Sequence, residues 1–266
     1  MSKLIIMHQH HVANGMTYDS ILLLIALSAV SVLYISAVRR LRKDGRNWSN
    51  WLTSSFLAGV GMLTIAASPV FMAWAHRDIV GHMAQHLLIG MYAPIFLVMG
   101  APVTLLLKVL PTTYARRFMT FLKSGFFRGI SHPATAMLLN IGGMYLLYLT
   151  PLYVASLNDT VLHYLIHVHF LAAGFLFTWA IIGPDPVPRR PTFNTRAWVL
   201  FLSIAAHAFL GKYMYAQLLP HGSPFSDEAI RGAAKTMYYW GDLSELILAA
   251  FFFASIPLVS SKRRNF

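Results

Sequence analysis

Cysteine is absent from the chain, which excludes disulfide bridges, thiolate metal sites and cysteine nucleophiles. Charge is scarce too: 11% of the 266 residues are charged, against roughly 25% in ordinary soluble domains. Acids are the scarcest, 9 Asp and Glu against 21 Lys and Arg. The sequence has no Gly-rich phosphate loop and no Gly-x-Ser-x-Gly elbow, so the usual marks of nucleotide and serine-hydrolase chemistry are missing. The formal charge of +12 does not indicate nucleic acid, because the basic residues are spread between apolar runs instead of forming a patch.

Apolar residues make up 57% of the chain. They fall into seven runs, approximately 20–38, 51–75, 81–107, 133–153, 161–183, 197–217 and 237–260, each near the ~20 residues that a helix needs to cross a bilayer. The expected fold is therefore an all-α, seven-span membrane bundle. Its segments are an N-terminal stretch 1–19, a helical domain 20–260 and a tail 261–266. In the third run Pro94 and Pro102 predict a kink or an early end.

Basic residues in the loops set the orientation. With the N-terminus outside, sixteen of them fall on the inner side, including Arg39, Arg40, Arg42, Lys43 and Arg46 after the first run. The outer side keeps five: Lys3, Arg77, Lys212, Arg231 and Lys235. The expected topology is N-terminus out and C-terminus in. The first twenty residues lack the cleavage pattern of a signal peptide, so the first span is read as retained. The basic, Phe-rich segment 113–129 suits either an interfacial helix or a simple inner loop. Ser226-Asp227-Glu228 reads as the cap and first turn of a short outer helix.

In that topology most histidines gather on the outer side. His82 and His86 open the third run, and His163, His167 and His169 open the fifth; each i, i+4 pair shares one helix face. His169 points away from the other two on its helix. His207 lies near the middle of the sixth run, and Asp242 and Glu245 are i, i+3 neighbours in the seventh. An ionised group at the centre of a membrane helix costs roughly 2.5 to 3.5 kcal/mol, so these side chains need partners. Facing helices of a bundle can supply metal ligands in this way. Imidazole with carboxylate suits copper, zinc, iron or manganese, and a thioether from Met83, Met91 or Met214 would favour Cu(I). The competing readings are a structural polar network for the acids and core filling for the methionines. His8, His10 and His11 are either a surface metal-capture segment or a tail. No lysine in the last run offers a retinal Schiff base. The inner halves of the runs carry little ionisable material, which counts against a transporter.

Several stretches, taken in order, resemble the CtaG family, associated with assembly of caa3-type cytochrome c oxidase. They are HMAQHLLIGMYAPIFLVMGAPVTLLL from His82, YLTPLY from Tyr148 and HYLIHVHFLAAGFLFTWAIIGPDPVPRR from His163, then HAFLG from His207 and GDLSEL from Gly241. The resemblance implies a non-enzymatic accessory factor in the bacterial plasma membrane. Copper would be its cargo and haem-copper oxidase subunits its partners. His82, His86, His163, His167, His169, His207, Asp242 and Glu245 carry over as motif positions and form the candidate metal set. A thiol-dependent copper chaperone that shares the name is disfavoured by the missing cysteines. The alternatives are a haem-binding or haem-handling membrane protein, with imidazoles as axial ligands, and a membrane metalloenzyme with Glu245 as base.

Overall fold

The computed structural model describes residues 2–186 and 190–255, with side chains described from residue 19 onward. The expected C-terminal tail 261–266 lies outside these residues, as do the end of the seventh run, Arg189 and the side chains of His8, His10 and His11. Among the described residues the chain is all-helical, without strands. In order the helices are α1 (Ser2–Lys43), α2 (Asn50–Ala66), α3 (Pro69–Arg77), α4 (Ile79–Leu87), α5 (Ala93–Met99), α6 (Pro102–Val109) and α7 (Thr112–Leu122). Then follow α8 (Gly125–Ile130), α9 (Pro133–Leu149), α10 (Leu152–Asn158), α11 (Thr160–Ile181), α12 (Phe193–Gln217) and α13 (Asp227–Ala254). A π-helical turn, Leu88–Tyr92, joins α4 to α5.

Apolar side chains cover much of the surface as well as filling the core. Leu22, Ile25, Val32 and Leu33 of α1 are each more than 60% exposed, whereas His82, His86, Asn140, His207, Ser244 and Glu245 are buried. Polar groups inside and hydrocarbon outside is the arrangement expected where the solvent is lipid. Four segments are long and apolar enough to cross a membrane: Asp19–Lys43, Ile79–Met99, Thr160–Ile181 and Phe193–Gln217. Two bent pairs, α2 with α3 at 56° and α9 with α10 at 78°, bring the number to six. The seventh expected span corresponds to α13. By apolarity it falls short, because Asp242 and Glu245 sit in its middle.

Local chemistry explains where the third run departs from a single long helix. Pro94 has no N–H to give the carbonyl four residues back, that of Gly90. The helix widens into the π turn immediately before it. A Cβ at Gly174 of α11 would overlap the Gly90 carbonyl oxygen, so only glycine lets α11 lie this close to the turn. The span then ends at Met99, since Ala101 adopts φ 49° and ψ 51° and Pro102 starts a new helix. Of the run 81–107 the span thus stops short of Leu107, the early end that Pro94 and Pro102 predict. A correction concerns the outer loop. Ser226 does cap a helix, accepting from the Ala229 N–H at 3.3 Å. That helix is no separate element but the start of the 28-residue α13.

The bends are held by polar ties. Gln85 donates its Nε2 to the Ala66 carbonyl at 2.8 Å, satisfying the end of α2 at the 56° bend. At the opposite end of the bundle Ala101, which caps α6, has no side-chain acceptor. Asp185, from the segment after α11, fills in: its carboxylate accepts from the amides of Val103 at 3.2 Å and Thr104 at 2.7 Å. Burial pushes the Asp185 carboxyl above its usual range, and the hydrogen bonds from Thr104 and Val103 pull it back. Asp185→Ala is therefore expected to destabilise the fold by about 1 kcal/mol, the usual loss for a missing helix cap. Thermal unfolding in detergent checks this, with Asp185→Asn intermediate; equal midpoints for wild type and Asp185→Ala would remove the carboxylate from that role.

Candidate metal centre

The eight predicted residues do not form one cluster. They separate into an imidazole group between α4 and α11, a His–carboxylate group between α12 and α13, and His169 alone.

The imidazole group is built by one-turn spacing on two neighbouring helices. His82 and His86 lie 4.3 Å apart between ring centroids, and His163 and His167 lie 4.4 Å apart. Across the helix interface His86 approaches His167 at 5.0 Å, His82 approaches His163 at 5.9 Å and His82 approaches His167 at 6.2 Å. A fifth ring, His76 at the end of α3, stands 5.1 Å from His163. Sequence reasoning left His76 out of the set, for it belongs to no i, i+4 pair. The 56° bend before α3 and the short step into α4 bring it in.

Hydrogen bonding settles which nitrogens are free. His167 Nδ1 lies 3.0 Å from the His163 carbonyl, and His76 Nδ1 lies 2.7 Å from the Met72 carbonyl. A carbonyl only accepts, so each Nδ1 carries a proton and Nε2 is the nitrogen left for a metal in the neutral ring. Metal-ligating histidines are commonly held by this same bond from the other ring nitrogen. The Nε2 atoms of His82, His86 and His167 are buried and have no hydrogen-bond partner. Leaving such groups unpaired costs about 1 to 3 kcal/mol each, and a cation among them would engage the lone pairs. Tyr153 packs edge-on to His82 at 5.0 Å, and Phe170 edge-on to His86 at 4.9 Å, holding the rings in place. On the α1 side His163 and His167 border a largely apolar cavity of about 150 Å³.

The second group centres on His207, which is fully buried. Its Nδ1 lies 3.9 Å from an Asp242 carboxylate oxygen and 3.6 Å from one of Glu245. One donor atom from each of the three residues falls within 4.8 Å of the others, close enough for a shared ion. Glu245 is buried and Asp242 partly exposed. The His207 ring lies directly against Gly241, where a Cβ would overlap it. The GDLSEL stretch thus supplies a gap for the ring and, one and four residues later, the two acids that face it.

His169 is separated from both groups. Two residues beyond His167, it comes off the opposite side of α11, and its Nε2 bonds the Leu139 carbonyl at 3.0 Å. A Cβ at Gly143 would meet that ring, so α9 also leaves space for it.

Comparison with known proteins adds the following. The sequence family described as cytochrome c oxidase caa3 assembly factor (Caa3_CtaG) matches residues 32–256. Uncharacterized proteins of Mycobacterium bovis and Mycobacterium tuberculosis are each 35% identical over 189 residues, covering 68% of this chain and 29% of theirs. One from Mycobacterium leprae is 32% identical over 201 residues, covering 73% of this chain and 30% of its own length. The chain thus spans under a third of the length of these relatives. No solved structure matches it.

Proposed function

Because the chain belongs to the caa3 cytochrome c oxidase assembly factor family, we propose that it is a multi-pass protein of the bacterial cell membrane that carries copper for that oxidase. Copper is its cargo, and the oxidase subunits are its partners. The proposed topology is seven spans with the N-terminus outside. The excess of Lys and Arg on one side supports it, as does a 28-residue α13 long enough to cross despite its two acids. The imidazole group then faces the extracytoplasmic side, where copper would be received and released.

One observation carries the copper reading: the convergence of His82, His86, His163 and His167, with three buried Nε2 atoms unpartnered. His207, Asp242 and Glu245 are the further candidate group. His169 is left out of the ligand set because its Nε2 is engaged elsewhere. With no thiolate available, imidazole ligands give a site from which a metal can exchange, as a carrier requires.

Elemental analysis of the detergent-purified protein tests this. Wild type is expected to retain copper, His86→Ala and His167→Ala to lose most of it, and His169→Ala to match wild type. Equal copper in all four would remove the imidazole group from the site.

A further inference from the structure

Between the two candidate groups lies a cavity of about 10 Å³, walled by Met83, His86, Leu87, Met144, Tyr148, His207 and Met237. It joins the groups: His86 belongs to the first and His207 to the second. Its three methionines come from three different helices, α4, α9 and α13. All three are at most 6% exposed. The hydroxyl of Tyr148 lies 3.6 Å from the Met83 sulfur and points its donor at it, which holds that thioether in place.

We propose that this cavity is a monovalent-copper site, held by the thioethers of Met83, Met144 and Met237 between the imidazoles of His86 and His207. The proposal rests on the copper reading above and extends it from the imidazole group into the core. Thioethers are soft ligands that select Cu(I), whereas an imidazole and carboxylate set alone does not discriminate between oxidation states in this way. The metal stays monovalent throughout, so no electron donor is required.

The site also gives the two acids a role. Asp242 and Glu245 lie 3.9 Å and 3.6 Å from Nδ1 of His207, beyond hydrogen-bond length but on the side from which a carboxylate orients a metal-ligating histidine. Both ring nitrogens of His207 are buried without a hydrogen-bond partner; with Nδ1 turned to the acids, Nε2 is the one left to bind. In this arrangement the acids position His207 and do not themselves ligate. The size fits as well. A space of about 10 Å³ accepts one water-sized occupant, which suits a bare ion and excludes a haem or an organic substrate.

The test loads the full chain with Cu(I) under anaerobic conditions and reads X-ray absorption at the copper edge. His8, His10 and His11 are first replaced by alanine, so that the N-terminal imidazoles do not contribute. Copper is expected to show sulfur as well as nitrogen neighbours. The combined Met83→Leu, Met144→Leu and Met237→Leu variant, which nearly conserves volume, is expected to lose the sulfur signal while keeping nitrogen-bound copper. Selenomethionine-labelled protein gives a second reading without substitution: copper–selenium scattering supports the site even if the triple variant fails to fold. Nitrogen-only copper that His82→Ala and His163→Ala remove would overturn this site and leave the copper-carrier reading standing. A sulfur signal unchanged in the folded triple variant would also overturn it. No copper bound in any form would overturn both.

Discussion

Cells whose only copy carries His86→Ala together with His167→Ala are expected to make little active caa3-type oxidase when copper is limiting. The loss should be at least tenfold, and added copper should restore part of it. The reasoning starts from the rings themselves. His86 and His167 face one another at 5.0 Å across the α4–α11 interface, and each has a buried, unpartnered Nε2. Removing an outer-shell partner of a metal ligand typically costs about 10- to 100-fold in affinity, so removing two of the proposed ligands should cost at least as much. The amount of variant protein in the membrane, measured alongside, separates a lost carrier from a misfolded one, because added copper bypasses either. His169→Ala supplies the internal control. Its Nε2 bonds the Leu139 carbonyl, so its loss removes one hydrogen bond, worth about 1 kcal/mol, and leaves the imidazole group intact. Oxidase activity at wild-type level in the double variant, with copper limiting, would remove these rings from assembly.

Gly241→Ala is expected to damage the protein by crowding the candidate site. The added Cβ would overlap the ring of His207, which is fully buried and borders only a cavity of about 10 Å³. Overpacking of this kind costs about 1 to 3 kcal/mol. Here it also pushes Nδ1 of His207 away from Asp242 and Glu245, leaving two acids inside the bundle without the group they face. Gly61→Ala in α2 is the matched comparison, because nothing lies within 4 Å of the Cβ it would add. Relief of glycine's backbone entropy should make that change neutral or stabilising by about 0.5 to 1 kcal/mol. Thermal unfolding of the two variants in detergent, with copper content measured alongside, reads both effects. Matching midpoints would show that the His207 ring does not depend on the gap at Gly241.

Much of the site was legible in order along the chain. The i, i+4 spacing of His82 with His86 and of His163 with His167 placed each pair on one face, and both pairs now meet. The two-residue step from His167 to His169 likewise puts His169 on another side of α11, where its Nε2 bonds the Leu139 carbonyl. The cap at Ser226 was correctly identified, but nothing local showed that it opens the same helix that carries Asp242 and Glu245. The methionines were the least legible. Met83 was among the three thioethers singled out, but Met144 and Met237, the other two that wall the cavity, were not.

The sequence by itself determined the all-helical class, the apolar segments, and which side chains share a helix face. Those properties depend on hydrophobicity and on the 3.6-residue period, both of which act within one stretch of chain. Tertiary structure decided that the predicted cluster is two groups, that His76 joins the first, and that a methionine-lined space connects them. Which helix faces which depends on close approaches between distant residues, such as Gly174 against the Gly90 carbonyl and Gly241 against His207. No periodicity along a single helix encodes those contacts.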